Sequence, residues 1–424
     1  FLKGVNSDDP DKNRFIGAVF GDLILEQQEI GKEAGDVVDL RHVEVNGTFN
    51  LSNSVVQVPF LVDCSEFKKL DAPNSEFEDR CTFREGVFEG EVNFDGAVFG
   101  GEANFRQIQF DMDVEFSDAE FHERADFRYS EFEGVKTSFN SAVFDGDANF
   151  NGCRFDEVHF TRAKFGTDAS FSNVKFFGVT EFQYVRFEGE SDFYDVDFMN
   201  NTKFRGVTFE GSTEFRDSVF KGWVSFRDCT YNADADYANV RFSNNVTFVA
   251  SSDNKGTRVN LTGINLSSAT FEIPEYRSVT YNFTRATVGN INVSTAHEDQ
   301  NPFKHFVFSE TKFDGFDFSK YVDELKEVDW EIHKDDATYE EIEETYDLAR
   351  MGAKAFGNRK IANKFKTKKL RLRREKYQEE GDTAKWLTNL LYDVSLGYGG
   401  SPIRIVIVVA VILALAAVAF VMLG

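Results

Sequence analysis

From Phe77 to Phe248 an aromatic residue returns every five or six positions, and that beat limits what this chain can fold into. Phe77, Phe83, Phe88, Phe94, Phe99, Phe105, Phe110, Phe116, Phe121, Phe127 and Phe132 alternate steps of six and five, an 11-residue unit with two large apolar residues. A slip around Glu133 to Lys136 interrupts the series. It resumes at Phe139 with some runs of fives, through Phe150 and Phe171 to Phe204 and Phe226, and Tyr231 and Tyr237 replace phenylalanine before Phe242. A helix repeats every 3.6 residues and a strand every 2.0, so neither produces this period. It marks an array of structural repeats, which has to be settled before any local assignment.

Two residues before each large ring stands a small or β-branched one: Ala103 before Phe105, Val114 before Phe116, Ala125 before Phe127, Ala148 before Phe150, Thr202 before Phe204. Side chains two apart on a strand point the same way, so both members of each pair face inward. Asp, Asn, Glu, Arg, Gly and Ser fill the remaining positions and suit exposed turns. Left outside, the rings would make an insoluble stripe. Proline fits this reading by its scarcity, with 6 in the chain and none between Pro73 and Pro274. A continuous hydrogen-bonded ladder excludes it, because proline brings no N–H. The beat starts faintly at Leu40, Val45 and Leu51, continues in strict fives from Leu261 to Tyr281, and ends at Phe308, Phe313 and Phe318. Cys81, Cys153 and Cys229 occupy the small inward position, as buried thiols filling space, and a reducing compartment fits them.

Repeats of the form small–Asp/Asn–Leu/Phe–x–x resemble the pentapeptide-repeat family, and the Phe-rich 11-residue beat resembles a variant of it. The resemblance covers roughly Leu40 to Phe318. It implies a right-handed, four-sided parallel β-helix with stacked central residues, about 22 residues per coil, in which Phe94, Phe99, Phe105, Phe110, Phe116, Phe121, Phe127, Phe150, Phe171 and Phe204 belong to the core ladder. About 13 coils at ~4.8 Å between strands give a rod ~60 Å long.

Beyond Phe318 the period becomes helical. Asp323 to Asp336 is strongly acidic and is expected to hold a short helix. Thr338 and Glu341 form a capping box ahead of Ile342, Tyr346, Ala349, Ala353 and Phe356 on one face, closed by Gly357. Asn358 is expected to cap a second helix carrying Ile361, Phe365 and Leu372 within a basic run, ended by Gly381. The two make an αα-hairpin. Asp382 caps a segment with Trp386, Leu387, Leu390, Leu391 and Tyr392. Ile403 to Leu423 is apolar except for Arg404, and its 21 residues suit one transmembrane helix of about 31 Å. The expected organisation is therefore a lead-in or cap over 1–36, the β-helix over 37–320, an acidic then basic helical hairpin over 321–381, a juxtamembrane segment over 382–402 and a membrane span over 403–424.

The formal charge of −25 is uneven: residues 350–404 hold 14 basic and 5 acidic side chains, leaving −34 on the rest. Basic residues ahead of the span place the repeats on the cytoplasmic side. Lys364, Lys366, Lys368, Lys369, Arg371, Arg373 and Arg374 are expected to meet anionic lipid headgroups rather than nucleic acid. Gly397-Tyr398-Gly399 is similar to a potassium-filter motif. The order of repeats, charged hairpin, Trp-containing segment, Gly397-Tyr398-Gly399 with Pro402, and apolar helix more closely resembles membrane pentapeptide-repeat proteins with a two-helix potassium-channel-like domain. Gly424 precedes the pore helix, filter and second span of that arrangement.

Six scattered histidines show no metal-ligand spacing, and no carboxylate pair or nucleophile arrangement stands out, so no catalytic, cofactor or metal site is expected. The expected function is a non-catalytic, membrane-anchored solenoid whose acidic rod binds a protein partner in a sensing or scaffolding role, with homo-oligomerisation left open. The alternative from another class is a DNA mimic that binds a type II topoisomerase.

Overall fold

The computed structural model describes residues 14–31, 37–254, 256–274, 279–296 and 300–399, and helical residues 403, 406–411 and 413. Two compact units result, Phe1–Leu261 with Ala269–Val279, and Thr262–Ser268 with Thr280–Gly424. The repeats form a parallel β-solenoid of about 13 turns. Strands Val19–Phe20, Leu23–Ile24 and Glu29–Ile30 already pair with the following turn, ahead of residue 37.

Each turn of the first unit has four sides. Side one carries Phe83, Phe105 and Phe127 in successive turns; side two carries Phe88, Phe110 and Phe132. Side three carries Phe94, Phe116 and Phe139, and side four Phe99, Phe121 and Phe144. Most strands are two residues long and pair in parallel with the same side of the next turn, as Val98 and Phe99 do with Glu120 and Phe121. The rings stack along each side, from 4.4 Å between Phe198 and Phe220 to 5.5 Å between Phe155 and Phe176. Between sides one and three they meet edge to face, as Phe105 and Phe116 do at 5.3 Å and 81°. Offset stacking and edge contact are the two favourable ways for ring quadrupoles to meet, and this core uses both.

Alternating fives and sixes are the alternation of two corner types. Sides one and two, and sides three and four, are joined by tight corners that hold one residue in the left-handed region, such as Glu85 (φ 57°), Gly96 (φ 63°) and Gln107 (φ 58°). The other two corners are a residue longer. At these wide corners the chain passes close over the turn before it: a Cβ on Gly90 would overlap the Lys68 carbonyl oxygen. Where an Asp or Asn precedes the ring, it caps the tight corner. Its side chain accepts from the backbone N–H two residues on, at 3.2 Å for Asn104 to Arg106 and 3.0 Å for Asn149 to Asn151. Each letter of the repeat thus has its own task.

The slip near Glu133 is an extra residue at one wide corner, between Phe132 and Phe139. At the same corner of the next turn, between Phe155 and Phe160, one residue fewer follows. Pairing of Val114 with Thr137, Thr137 with Val158, and Val158 with Thr180 continues unbroken across both.

Small inward positions that hold serine rather than alanine gain hydrogen bonds. Ser130 Oγ donates to the Phe105 carbonyl at 2.6 Å and accepts from the Ile108 N–H at 3.0 Å. Cys153 and Cys229 sit in the same way, their thiols 2.9 and 2.8 Å from the carbonyls of Phe127 and Phe204. Burial pushes both thiols far above their ordinary range. The two tyrosines that interrupt the ladder answer each other: Tyr231 and Tyr237 hydroxyls lie 2.9 Å apart, buried in the core.

In the second unit the rings continue with Phe283 stacked on Phe308 at 5.4 Å and end in a cluster of Phe313, Phe316 and Phe318. Helix α1 (Val322–Glu327) is the short helix expected at the start of the acidic stretch. Helix α2 (Tyr339–Ala355) starts at the expected capping box and buries Ile342, Tyr346, Ala349 and Ala353. Gly352 lies against Phe313, where a Cβ would collide. Phe356, expected on that buried face, is exposed. Helix α3 (Arg359–Glu379) has no side-chain cap from Asn358, whose amide instead donates to Asp317 Oδ1 at 3.1 Å. Phe365 of α3 packs edge-on against Phe318 and Trp330. Helix α4 (Thr383–Leu396) is capped by Asp382 as expected and ends at Gly397 in the left-handed region.

Among the described residues no helix is long and apolar enough to cross a membrane. Most of the expected span over 403–424, and Pro402 of the juxtamembrane motif, lie outside the described residues. Ile403, Val406, Ile407, Val409, Val411 and Leu413, which are described, are exposed.

Candidate functional site

Side chains at the wide corners point away from the core, so the fold leaves their chemistry free. The corner between sides four and one presents Glu78, Asp79, Glu102, Glu123, Asp145, Asp147, Asp168, Glu188 and Glu190 in successive turns, all exposed. Because wide and tight corners alternate around the coil, the corner between sides two and three is diagonally opposite. Over three consecutive turns it has no acid: Phe177-Gly178-Val179, Met199-Asn200-Asn201 and Lys221-Gly222-Trp223. Phe177 is 37% exposed and Trp223 41%, and the Arg154 guanidinium lies 5.1 Å from the Phe177 ring centre. Met112 and Val135 are exposed at the same corner further back. On a body carrying this much negative charge, that strip is the departure from the rule. Corner periodicity in the sequence was enough to find it, once wide corners are told apart from tight ones.

The ten core-ladder phenylalanines are all fully buried and none is at a surface. His159 is half-buried between Glu157 and Glu181 at 2.8 and 3.2 Å. Among the described residues no cluster of His, Cys, Asp or Glu could hold a metal ion.

The basic run on α3 is mostly turned inward. Lys368, buried, meets Asp329 at 3.0 Å and Glu331 at 3.4 Å. Lys369 pairs with Asp347 at 2.5 Å, and Arg373 grips Glu343 through two bonds of 2.6 Å. The Arg373 guanidinium holds the Glu343 carboxyl below the usual carboxylate range. Arg374 and Arg371 share Asp393 at 3.0 and 3.5 Å. Lys366 donates to the Tyr398 carbonyl at 3.1 Å. Lys364 stays exposed.

Gly397, Tyr398 and Gly399 form a clasp on α3. Tyr398 is buried, its backbone left-handed (φ 55°), and its hydroxyl donates to Asn389 Oδ1 at 2.5 Å. Asn389 in turn donates to the Leu370 carbonyl at 3.1 Å. The carbonyl that a filter would turn toward an ion is here engaged by Lys366. On α4, Leu387, Leu391 and Val394, at positions i, i+4 and i+7, are exposed.

Residues 72–120, 116–164, 160–208 and 197–236 match the family model described as pentapeptide repeats (9 copies). Over 72–236, then, the solenoid is built of pentapeptide repeats. No curated protein and no solved structure matches the chain. The match ends at residue 236, so the likeness speaks for those turns of the solenoid and not for the later turns or the helices.

Proposed function

We propose that this chain is a non-catalytic scaffold whose pentapeptide-repeat solenoid binds a protein partner, while its C-terminal helices hold it at a membrane surface with the repeats on the cytoplasmic side. The observation that carries the binding role is the acid-free corner of Phe177, Met199 and Trp223. Contiguous exposed apolar side chains with a polar surround mark association surfaces, and exposed Trp is a frequent anchor in them. The exposed apolar face of α4 and the apolar residues described after it support the membrane placement.

The test is affinity capture with the full chain, followed by direct binding of each purified candidate to wild type and to the Phe177→Glu/Trp223→Glu variant. A true partner binds the variant at least about tenfold more weakly, a loss of ~1.4 kcal/mol. A partner that binds both equally overturns the role of this corner. The opposite, acidic corner favours a second reading, the DNA mimic. That reading requires a type II topoisomerase to bind with a steep loss in salt and with no sensitivity to the double variant.

A further inference from the structure

Helix α3, the loop around Asp329 and the end of α4 line a half-open cavity of about 480 Å³ in the helical unit. That is larger than a bare anion needs and within the range of small-molecule sites. Its floor is one stripe of α3: Lys360, Asn363, Lys364, Thr367, Lys368 and Arg371, spaced by threes and fours so that they share a face. Two carboxylates answer them from the other walls. Asp329 takes Lys368 and Asp393 takes Arg371. Lys360 and Lys364 make no ion pair among the described residues. Like charges at i and i+4 destabilise a helix, and here three lysines follow one another at that spacing around one cavity. An anion between them removes the repulsion. Lysines offer only donors, and the Asn363 amide and Thr367 hydroxyl add neutral ones. The Trp330 indole supplies an apolar wall beside them.

We propose that this cavity binds a phosphate-bearing anion. Lys360 and Lys364 supply the uncompensated charge, Asn363 and Thr367 supply hydrogen bonds, and Lys368 and Arg371 are held in place by their carboxylates. The phosphate belongs either to a soluble compound or to a lipid headgroup. The site goes beyond the solenoid's binding role and does not depend on it.

The experiment uses the full chain and two double variants of equal charge, Lys360→Ala/Lys364→Ala and Lys354→Ala/Arg359→Ala, the second pair lying outside the cavity. Thermal melts establish that both remain folded. Inorganic pyrophosphate is titrated by calorimetry, and vesicles of phosphatidylcholine with or without phosphatidic acid are co-sedimented. The cavity variant is expected to bind pyrophosphate at least about tenfold more weakly than wild type, the control within about twofold. Vesicle binding that falls in parallel identifies a headgroup as the source of the phosphate; vesicle binding that is unchanged identifies a soluble compound. Equal pyrophosphate binding by the two variants, or none by wild type, overturns the proposal. Membrane attachment through the apolar face of α4 predicts vesicle binding that ignores both double variants and phosphatidic acid, so the two ideas fail separately.

Discussion

The solenoid and the helical unit solve the same problem, burying aromatic rings, by opposite means. In the solenoid one contact is copied turn after turn: Phe94 on Phe116 at 5.1 Å, Phe116 on Phe139 at 5.1 Å, Phe139 on Phe160 at 5.0 Å. In the helical unit every contact occurs once. Phe365 meets Phe318 and Trp330, and Tyr346 donates to the Trp330 carbonyl at 3.2 Å while lying 3.0 Å from His333 Nδ1. A copied contact needs only the right residue type at the right period. A singular contact needs particular partners brought from distant points in the sequence. Stability in the first is a sum of neighbouring terms, and in the second it rests on a few groups that nothing duplicates.

The largest expected effect attacks the copied contact. Phe116→Ala removes a fully buried ring that stacks on one neighbour in each adjacent turn, and should cost about 3–5 kcal/mol by denaturant unfolding. Native-state hydrogen exchange should show the loss concentrated in the turns of Phe94 and Phe139. Uniform loss of protection across the array would mean that the turns are not independent. Next comes a place where the solenoid behaves like the helical unit, the Tyr231–Tyr237 pair. Tyr231→Phe leaves the Tyr237 hydroxyl without this partner and should cost about 1–2 kcal/mol, whereas changing both to Phe should cost less than the sum of the singles. Strict additivity in that cycle would show that the hydroxyls do not cooperate.

The smallest effect belongs to His333. Burial, with Lys368 nearby, outweighs Glu331 and Asp335 and holds its imidazole below its ordinary value. A depressed folded value means that the unfolded chain takes up the proton more readily. The helical unit should therefore keep its full stability above about pH 6.5 and lose part of it as the pH falls below that. His333→Gln should flatten the dependence in a thermal-melt series, and an unchanged slope would assign it to another group.

The same contrast explains what reading the residues alone achieved. Stacked rings, inward alanines and the absence of proline were all readable, because a period needs no tertiary information. The asymmetry of corners was present as alternating fives and sixes, yet its meaning depended on backbone geometry at positions such as Glu85 and Gly90. In the helical unit, amphipathic spacing located Ile342, Tyr346 and Ala353. It had no way to show that Asn358 turns to Asp317, or that Lys368, Lys369 and Arg373 find carboxylates inside the unit. A run of basic residues reads as surface charge until its partners are placed opposite it. The cavity beside Lys360 was hidden for the same reason, since its other walls come from residues 329–330 and 393–397.

The compensated slip at the wide corner after Phe132 has a consequence for how such an array changes over time. One extra residue there is followed by one fewer at the same corner of the next turn, and the rungs of Thr137 and Val158 stay in phase. A change of corner length at that edge is thus absorbed within its own turn instead of being passed down the chain. Corners of this kind let a lineage vary the array's outer edge, residue by residue, without renumbering what lies inside.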